Sequence, residues 1–251
     1  MRKLEKHSIC IYRNIESIEF EPNSKLEFIC NEAFAYSSVE VISLPSNFHD
    51  FEEGAFNKLP LLRRIVVAPE NKHFLFIEDN FLLFRSDENN ENYDQLVLAI
   101  QKIEDPTVPS FVTRISSYSF FGCQKMTNIS FQENSKLQFI GEFAFSESSL
   151  ESIVIPASVL SIEERAFSYC FSLKSISFAP NSKLTKIGNF AFASTSIEEM
   201  FIPASVRVIC NNIFTSCNQL KKVIFEDQSE LEEVGENIFS NSSIENIIGL
   251  S

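Results

Sequence analysis

Apolar residues return along this chain at fixed intervals. The pattern centres on an alanine-phenylalanine pair and its variants, at Ala33-Phe34, Ala55-Phe56, Ser119-Phe120, Ala144-Phe145, Ala166-Phe167, Ala191-Phe192, Ile213-Phe214 and Ile238-Phe239. From Phe120 onward the phenylalanines are spaced alternately by 25 and 22 residues, so two coil types form a 47-residue double repeat. A period in the twenties predicts a solenoid, in which each coil buries its apolar face by stacking on its neighbours.

Each coil opens with an alternating segment that predicts a β-strand. In Ser152-Ile153-Val154-Ile155 the two isoleucines face the interior and the residues between and before them face outward. Pro156 ends this strand in the short coil, whereas the long coil has a wider Asn-Ser turn, as at 181–182. The Ala-Phe segment that follows is too short for a full helix and predicts a helical turn on the outer face.

One segment interrupts the spacing, because Phe81 and Phe120 are 39 residues apart. Apolar runs at 81–85 and 96–100 flank a polar stretch at 86–95, and this arrangement predicts a β-hairpin inserted at about 80–101. The chain begins and ends within a coil, and neither end resembles a capping coil. We therefore expect a single solenoid domain over 1–251, cut in mid-repeat at both ends.

Composition and charge exclude several classes of function. The chain has 44% apolar residues, with 26 Phe and no Trp, which is enough to fill a stacked interior and argues against disorder. The net charge of -13 argues against nucleic-acid binding, which needs a basic stripe. No apolar stretch is long enough to insert in a membrane, and the basic N-terminal residues precede no apolar segment of a signal peptide.

Candidate chemical groups in the sequence fit structural roles better than catalytic ones. Cys123, Cys170 and Cys217 are 47 residues apart, so they occupy one position in every second coil and are predicted to be free and buried. No Cys-x-x-Cys spacing, repeated nucleophile or EF-hand pattern is present, so we expect no metal, no cofactor and no catalytic residue. Asn128 and Asn241 begin glycosylation sequons whose use the sequence leaves open.

The motif Leu-x-x-Ile-x-Ile-Pro-x-Ser-Val-x-x-Ile-x-x-x-Ala-Phe-x-x-Cys, read from Leu150 to Cys170, resembles the BspA-type leucine-rich repeat. The resemblance covers the chain from about Ile9 onward. It implies a parallel sheet on the concave face, short helical turns and loops on the convex face, and no catalytic motif. It also implies a surface-exposed or secreted adhesion or antigen protein, with a composition similar to protozoan members.

The outward strand positions are where the sequence predicts binding. The outward residue between the two inward ones is apolar in four of the last five coils, at Val154, Phe201, Ile224 and Ile248. Glu199 and Lys222 lie in the neighbouring outward column. Two interpretations stay open: an exposed apolar row marks a protein-contact surface, and strands favour such residues without any ligand. The candidate partner-binding residues are Val154, Glu199, Phe201, Lys222 and Ile224.

We therefore expect a non-enzymatic protein-binding module, a cell-surface adhesion or surface-antigen segment that binds through its concave sheet. The predicted partner is a host or extracellular-matrix protein, or a second copy of the chain. The alternative is an intracellular, cytoplasmic leucine-rich-repeat scaffold, which free cysteines and the missing leader would suit.

Overall fold

The computed structural model describes residues 2–21, 24–78, 80–85 and 92–249. The strands are β1 (Lys3–Leu4), β2 (Ser17–Ile18), β3 (Phe28–Ile29), β4 (Val41–Leu44), β5 (Asp50–Phe51), β6 (Arg64–Val67), β7 (Phe74–Ile77), β8 (Phe81–Phe84), β9 (Gln95–Ala99), β10 (Thr107–Val108), β11 (Arg114–Ile115), β12 (Ser130–Phe131), β13 (Phe139–Ile140), β14 (Ser152–Ile155), β15 (Ser161–Ile162), β16 (Ser175–Phe178), β17 (Lys186–Ile187), β18 (Glu199–Ile202), β19 (Val208–Ile209), β20 (Lys222–Phe225), β21 (Glu233–Val234) and β22 (Asn246–Ile248). Turns, and no helices, join these strands within the described ranges. None of those segments forms a helix with the length and apolarity that a membrane crossing needs.

The strands form two parallel series, one on each side of the stack. The first strands of neighbouring coils pair in parallel within short sheets, which are β2-β4-β6, β10-β12, β14-β16 and β18-β20-β22. The second strands also pair in parallel, in a ladder that runs from β21 through β11 to β9. The prediction of a solenoid with a parallel sheet is confirmed. We call the surface formed by the outward residues of the first strands the strand face.

Stacked phenylalanines fill the interior. Phe145, Phe167 and Phe192 are each 0% exposed. The ring of Phe167 lies 5.0 Å from that of Phe145 and 5.6 Å from that of Phe192, with interplanar angles of 5° and 19°. The column continues through Phe214 to Phe239. The prediction that the Ala-Phe rings form the stacked core is confirmed, because each ring packs against the rings of adjacent coils.

The Ala-Phe turn satisfies its backbone groups by two alternating sets of hydrogen bonds. The N–H groups of Ala166, Ser168 and Cys170 each donate to the carbonyl three residues earlier in the same turn. The N–H groups of Arg165, Phe167 and Tyr169 instead donate to the next coil. This alternation places Arg165 and Tyr169 in the left-handed region, at φ 52° and 59°. Each turn is thereby joined to the turn stacked on it.

Glycine in the long coils allows one backbone segment to approach another closely. A Cβ built at Gly188 would lie 2.6 Å from the carbonyl carbon of Glu163 and 2.7 Å from the nitrogen of Glu164. The same holds at Gly141, where it would lie 2.6 Å from the nitrogen of Ser117. These glycines are required by space and not by conformation, since neither has a positive φ.

An antiparallel meander stands where the sequence predicts an inserted hairpin. Strands β8 and β9 pair antiparallel, with Phe81 opposite Ala99, and β7 adds a third antiparallel strand that the sequence analysis missed. The connection at 86–91 lies outside the described residues. All four side chains of β8 are buried.

The meander separates two hydrophobic clusters. Phe81 and Leu83 of β8 pack with the coils that follow, whereas Leu82 and Phe84 pack with the coils that precede. The two faces of β8 thus belong to two different cores, and the meander covers the end of each core.

Most inward residues of the first strands are buried as predicted. Ile42, Leu44, Ile153, Ile155, Ile176, Met200 and Ile202 are at most 4% exposed. Ile18, Phe20 and Phe178 hold the same inward positions, for which the alternating pattern predicts burial, but they are only partly buried, so that prediction is wrong for them. β2 is the edge of its sheet, which leaves Ile18 and Phe20 covered from one side only.

Candidate binding face

The strand face in the last coils brings four of the five predicted residues into two adjacent pairs. Phe201 of β18 lies opposite Ile224 of β20, and Glu199 lies opposite Lys222, in the parallel register of the two strands. The Lys222 ammonium is 2.8 Å from a carboxylate oxygen of Glu199, and both side chains are roughly two fifths exposed. The register of two short strands therefore sets an ion pair directly beside an aromatic-aliphatic pair.

The fifth residue, Val154, lies apart from those pairs. In the outward column Val154 of β14 faces Ser177 of β16, and β16 lies next to β18. A serine thus separates Val154 from Phe201. Val154 instead lines a cleft of about 470 Å³ with Ile129, Phe131 and Pro156.

The apolar residues of this column are exposed. Phe201 is 53% exposed, Val154 is 56% and Ile248 is 48%, while Ile224 is half-buried between its neighbours. Ile248 pairs with Ile224, so Phe201, Ile224 and Ile248 form a continuous apolar row across three strands. We call this row, with Glu199 and Lys222, the strand-face patch.

Two of the six cysteines join their coil to the preceding one by a hydrogen bond. All six are free thiols. The Cys170 thiol donates to the Phe145 carbonyl at 3.0 Å, and the Cys217 thiol donates to that of Phe192 at 3.1 Å. Burial raises the pKa of the Cys123 and Cys170 thiols to about 12, so they are neutral at physiological pH and unsuited to nucleophilic chemistry.

Other candidate chemical groups stay dispersed. Within the described ranges no three His, Cys, Asp or Glu side chains converge as metal ligands would. The rings of His49 and His73 lie 5.8 Å apart. In the polar stretch at 86–95, residues 86–91 lie outside the described residues, and the Asp94 carboxylate accepts a hydrogen bond from Thr113 at 2.9 Å.

A second cleft lies beside an Ala-Phe turn, and the sequence analysis missed it. It measures about 360 Å³ and is lined by Gln124, Glu147, Ser148, Ser149, Tyr169, Phe171 and Ser172. Tyr169 is 47% exposed and Phe171 is 69% exposed. The sequence does mark this site, because Phe171 stands four places after the coil phenylalanine, where other coils have a polar residue, as at Gln124, Ser149 and Ser196.

A comparison with protein families gives one match that extends over most of the chain. The model for the BspA type leucine rich repeat region matches six copies, over residues 2–81, 97–220 and 138–250. A comparison with proteins of curated function finds no match.

Solved structures share the fold. The pneumococcal vaccine antigen PcpA is 23% identical with a TM-score of 0.53, over 63% of this chain and 51% of that one. A leucine rich cell surface protein from Faecalibacterium prausnitzii is 21% identical with a TM-score of 0.61, over 93% of this chain and 59% of that one. A leucine-rich repeat protein from Eubacterium ventriosum is 20% identical with a TM-score of 0.59, over 91% and 65%. This chain thus spans between about half and two thirds of the length of these three proteins.

Proposed function

This chain belongs to the BspA-type leucine-rich repeat family, and from that premise we propose that it is a non-enzymatic protein-binding module that takes a protein partner on its strand face. We further propose that it is a segment of a cell-surface adhesin or surface antigen. The names of two proteins that share its fold, a vaccine antigen and a cell surface protein, support this choice of setting.

The observation that carries the proposal is the strand-face patch. Phe201 leaves 53% of its surface in water although the solenoid has a stacked interior able to bury aromatic rings. The ion pair of Glu199 and Lys222 borders the apolar row on the same two strands. An exposed aromatic anchor bordered by polar groups is a common arrangement at the centre of protein-protein hot spots.

A rigid platform supports this use of the patch. The inward neighbours Met200 and Val223 are 0% exposed, so the backbone that carries Phe201 and Ile224 is fixed by the core beneath it. Little ordering entropy is then lost on binding, which favours affinity. The proposed partner is a host or extracellular-matrix protein, or a second copy of the chain.

An intracellular scaffold is the second candidate. All six cysteines are free thiols, as is usual for proteins of reducing compartments. However, four of them are buried, and a buried thiol is protected from oxidation in either setting. The patch would serve a partner in both cases.

The test compares the wild type with a Phe201→Ser, Ile224→Ser double variant and with Val66→Ser as a matched control. Val66 holds the same outward position in β6 and is 41% exposed. Immobilised proteins are incubated with detergent-solubilised surface proteins and extracellular matrix, and self-association is measured by light scattering. Any partner identified is then titrated by calorimetry.

We expect the double variant to lose about 1–2 kcal/mol of binding free energy, which is roughly a five- to thirtyfold weaker affinity. The control should bind as the wild type does, and all three proteins should have the same melting temperature. Equal recovery of every specific partner by the double variant would eliminate the strand-face patch as the site.

A further inference from the structure

The cleft beside Tyr169 has walls of a kind that the fold does not require. Tyr169 and Phe171 follow Phe167 by two and four residues, and the same two positions after Phe192 are Ser194 and Ser196. Both aromatic side chains are largely exposed, so they add little to the core. Large apolar groups held in water around a concavity indicate a ligand.

The two rings lie beside each other at a steep angle. Their centroids lie 6.0 Å apart and their planes meet at 61°. The turn that carries them is held by backbone hydrogen bonds, from Tyr169 N–H to Ala193 at 2.9 Å and from Phe171 N–H to the Tyr169 carbonyl at 2.9 Å. The backbone that carries both rings is therefore ordered before any ligand arrives, which lowers the entropy lost on binding.

The charge of the cleft is negative. Glu147 is its one charged lining residue, and no ion pair to Glu147 is found within the described part of the chain. The amide of Gln124 is already occupied, because its nitrogen donates to the Glu147 carbonyl and its oxygen accepts from Ser149 at 3.3 Å. An unpaired carboxylate that shares a cleft with two aromatic rings suits a cation and disfavours an anion.

The chain contains a filled version of this arrangement in its first coils. Tyr36 follows Phe34 by two residues, as Tyr169 follows Phe167. The Lys58 ammonium lies 5.4 Å from the centre of the Tyr36 ring and 2.7 Å from a Glu32 carboxylate oxygen. Aromatic ring, ammonium and carboxylate are all supplied there by the protein itself.

At Tyr169 the next coil places Ser194 where Lys58 stands beside Tyr36, and the carboxylate that lines the cleft is that of Glu147 in the preceding coil. Arg165 stands at the Glu32 position and pairs with Glu164. We propose that the cleft at Tyr169 and Phe171 binds an alkylammonium cation, with the two rings as its walls and Glu147 as its counter-charge. The cation is either a free methylated amine or the end of a lysine side chain. This site is separate from the strand-face patch and does not depend on it.

The experiment is an amide chemical-shift titration of the full chain by NMR at constant ionic strength. One series adds tetramethylammonium chloride and, as its neutral counterpart, tert-butanol. A second series adds a lysine-containing tripeptide and the same tripeptide with norleucine. The variants are Phe171→Ser, Tyr169→Ser and Glu147→Gln, and Tyr12→Ser is the matched control because it removes a 57% exposed ring in another coil. Serine already stands at both aromatic positions in the next coil, so the variants should fold.

We expect saturable shifts at 147–149 and 169–172 with a cation and not with its neutral counterpart. Each ring variant should weaken binding about two- to fivefold, and Glu147→Gln should abolish the preference for the charged ligand. Tighter binding of tetramethylammonium would identify a free methylated amine, and tighter binding of the tripeptide would identify a lysine side chain. No saturation with either cation, equal binding of the neutral compounds, or unchanged binding by Phe171→Ser would overturn the proposal.

Discussion

The central ring of the phenylalanine column, Phe167, gives the sharpest test of how this solenoid is stabilised. Phe167 is 0% exposed and is stacked between Phe145 at 5.0 Å and Phe192 at 5.6 Å. Phe167→Ala removes the ring from water-free surroundings and leaves a cavity between two coils. Such substitutions lower the free energy of unfolding by about 3–5 kcal/mol. Loss of two aromatic contacts, each worth about 0.5–1.5 kcal/mol, places the expected value in the upper half of that range.

The chain offers a matched control four residues further on. Phe171→Ala makes the same chemical change at a ring that is 69% exposed, and it should lower the free energy of unfolding by no more than about 0.5 kcal/mol. Phe192→Ala should behave as Phe167→Ala does. Phe239 is only partly buried and stacks on one neighbour, Phe214, at 5.8 Å. Phe239→Ala should therefore lower the free energy of unfolding by roughly half as much as Phe167→Ala does.

The measurement is urea unfolding followed by circular dichroism and extrapolated to water. Repeat arrays can lose two-state behaviour, so hydrogen exchange of the amides around residues 162 and 187 should be recorded in parallel. A value below about 1 kcal/mol for Phe167→Ala, or one equal to that of Phe171→Ala, would refute the idea that the stacked column is the main core.

Three further predictions concern other contacts. Gly188→Ala should lower the free energy of unfolding by about 1–3 kcal/mol in urea melts, because its Cβ would collide with the backbone at Glu163; an unchanged melt would contradict the close approach. Burial raises the pKa of Cys170 from 9.0 to about 12, so the neutral thiol stabilises the fold fully below pH 9 and this contribution is lost as the pH rises toward 12. Cys170→Ala should therefore flatten the fall of the free energy of unfolding between pH 9 and 12. Parallel curves of unfolding free energy against pH for the two proteins would show that the thiol is not buried. Glu199→Gln should lower the free energy of unfolding in urea melts by less than about 1 kcal/mol, because the ion pair of Glu199 with Lys222 is partly exposed. A larger loss would assign that ion pair a structural role.

The repeat made the core predictable because the same residue type recurs at the same coil position. Phe145 and Phe167 each hold the phenylalanine position of a coil, whose recurring spacing alone implies stacking, and both are fully buried. The short second strands were harder to foresee. β15 is only Ser161–Ile162, and two residues carry no alternation to recognise. Its pairing exists because the neighbouring coils hold β13 and β17 at the same height.

The features that were missed are departures from the repeat. β7 carries an apolar run, Phe74–Ile77, but its antiparallel pairing depends on where the chain turns back, which no periodicity encodes. The cleft at Tyr169 and Phe171 requires residues 124 and 147 from earlier coils, so it emerges only when the coils are stacked. By contrast, the in-register pair of Phe201 and Ile224 follows from the spacing, because both lie in one outward column.

The meander at 74–99 also determines how the molecule would respond to pulling. A coil of 22 or 25 residues that peels from the stack lengthens the chain by roughly 70–90 Å at about 3.3–3.6 Å per extended residue. Coils on either side of the meander can detach in such regular steps, since each contacts only its neighbours. The strand β8 cannot, because Leu82 and Leu83 are anchored in different cores. Under tension the meander would therefore resist unfolding longer than a single coil does. Its unfolding would expose the hydrophobic cores on both sides of it and lengthen the chain in one larger step.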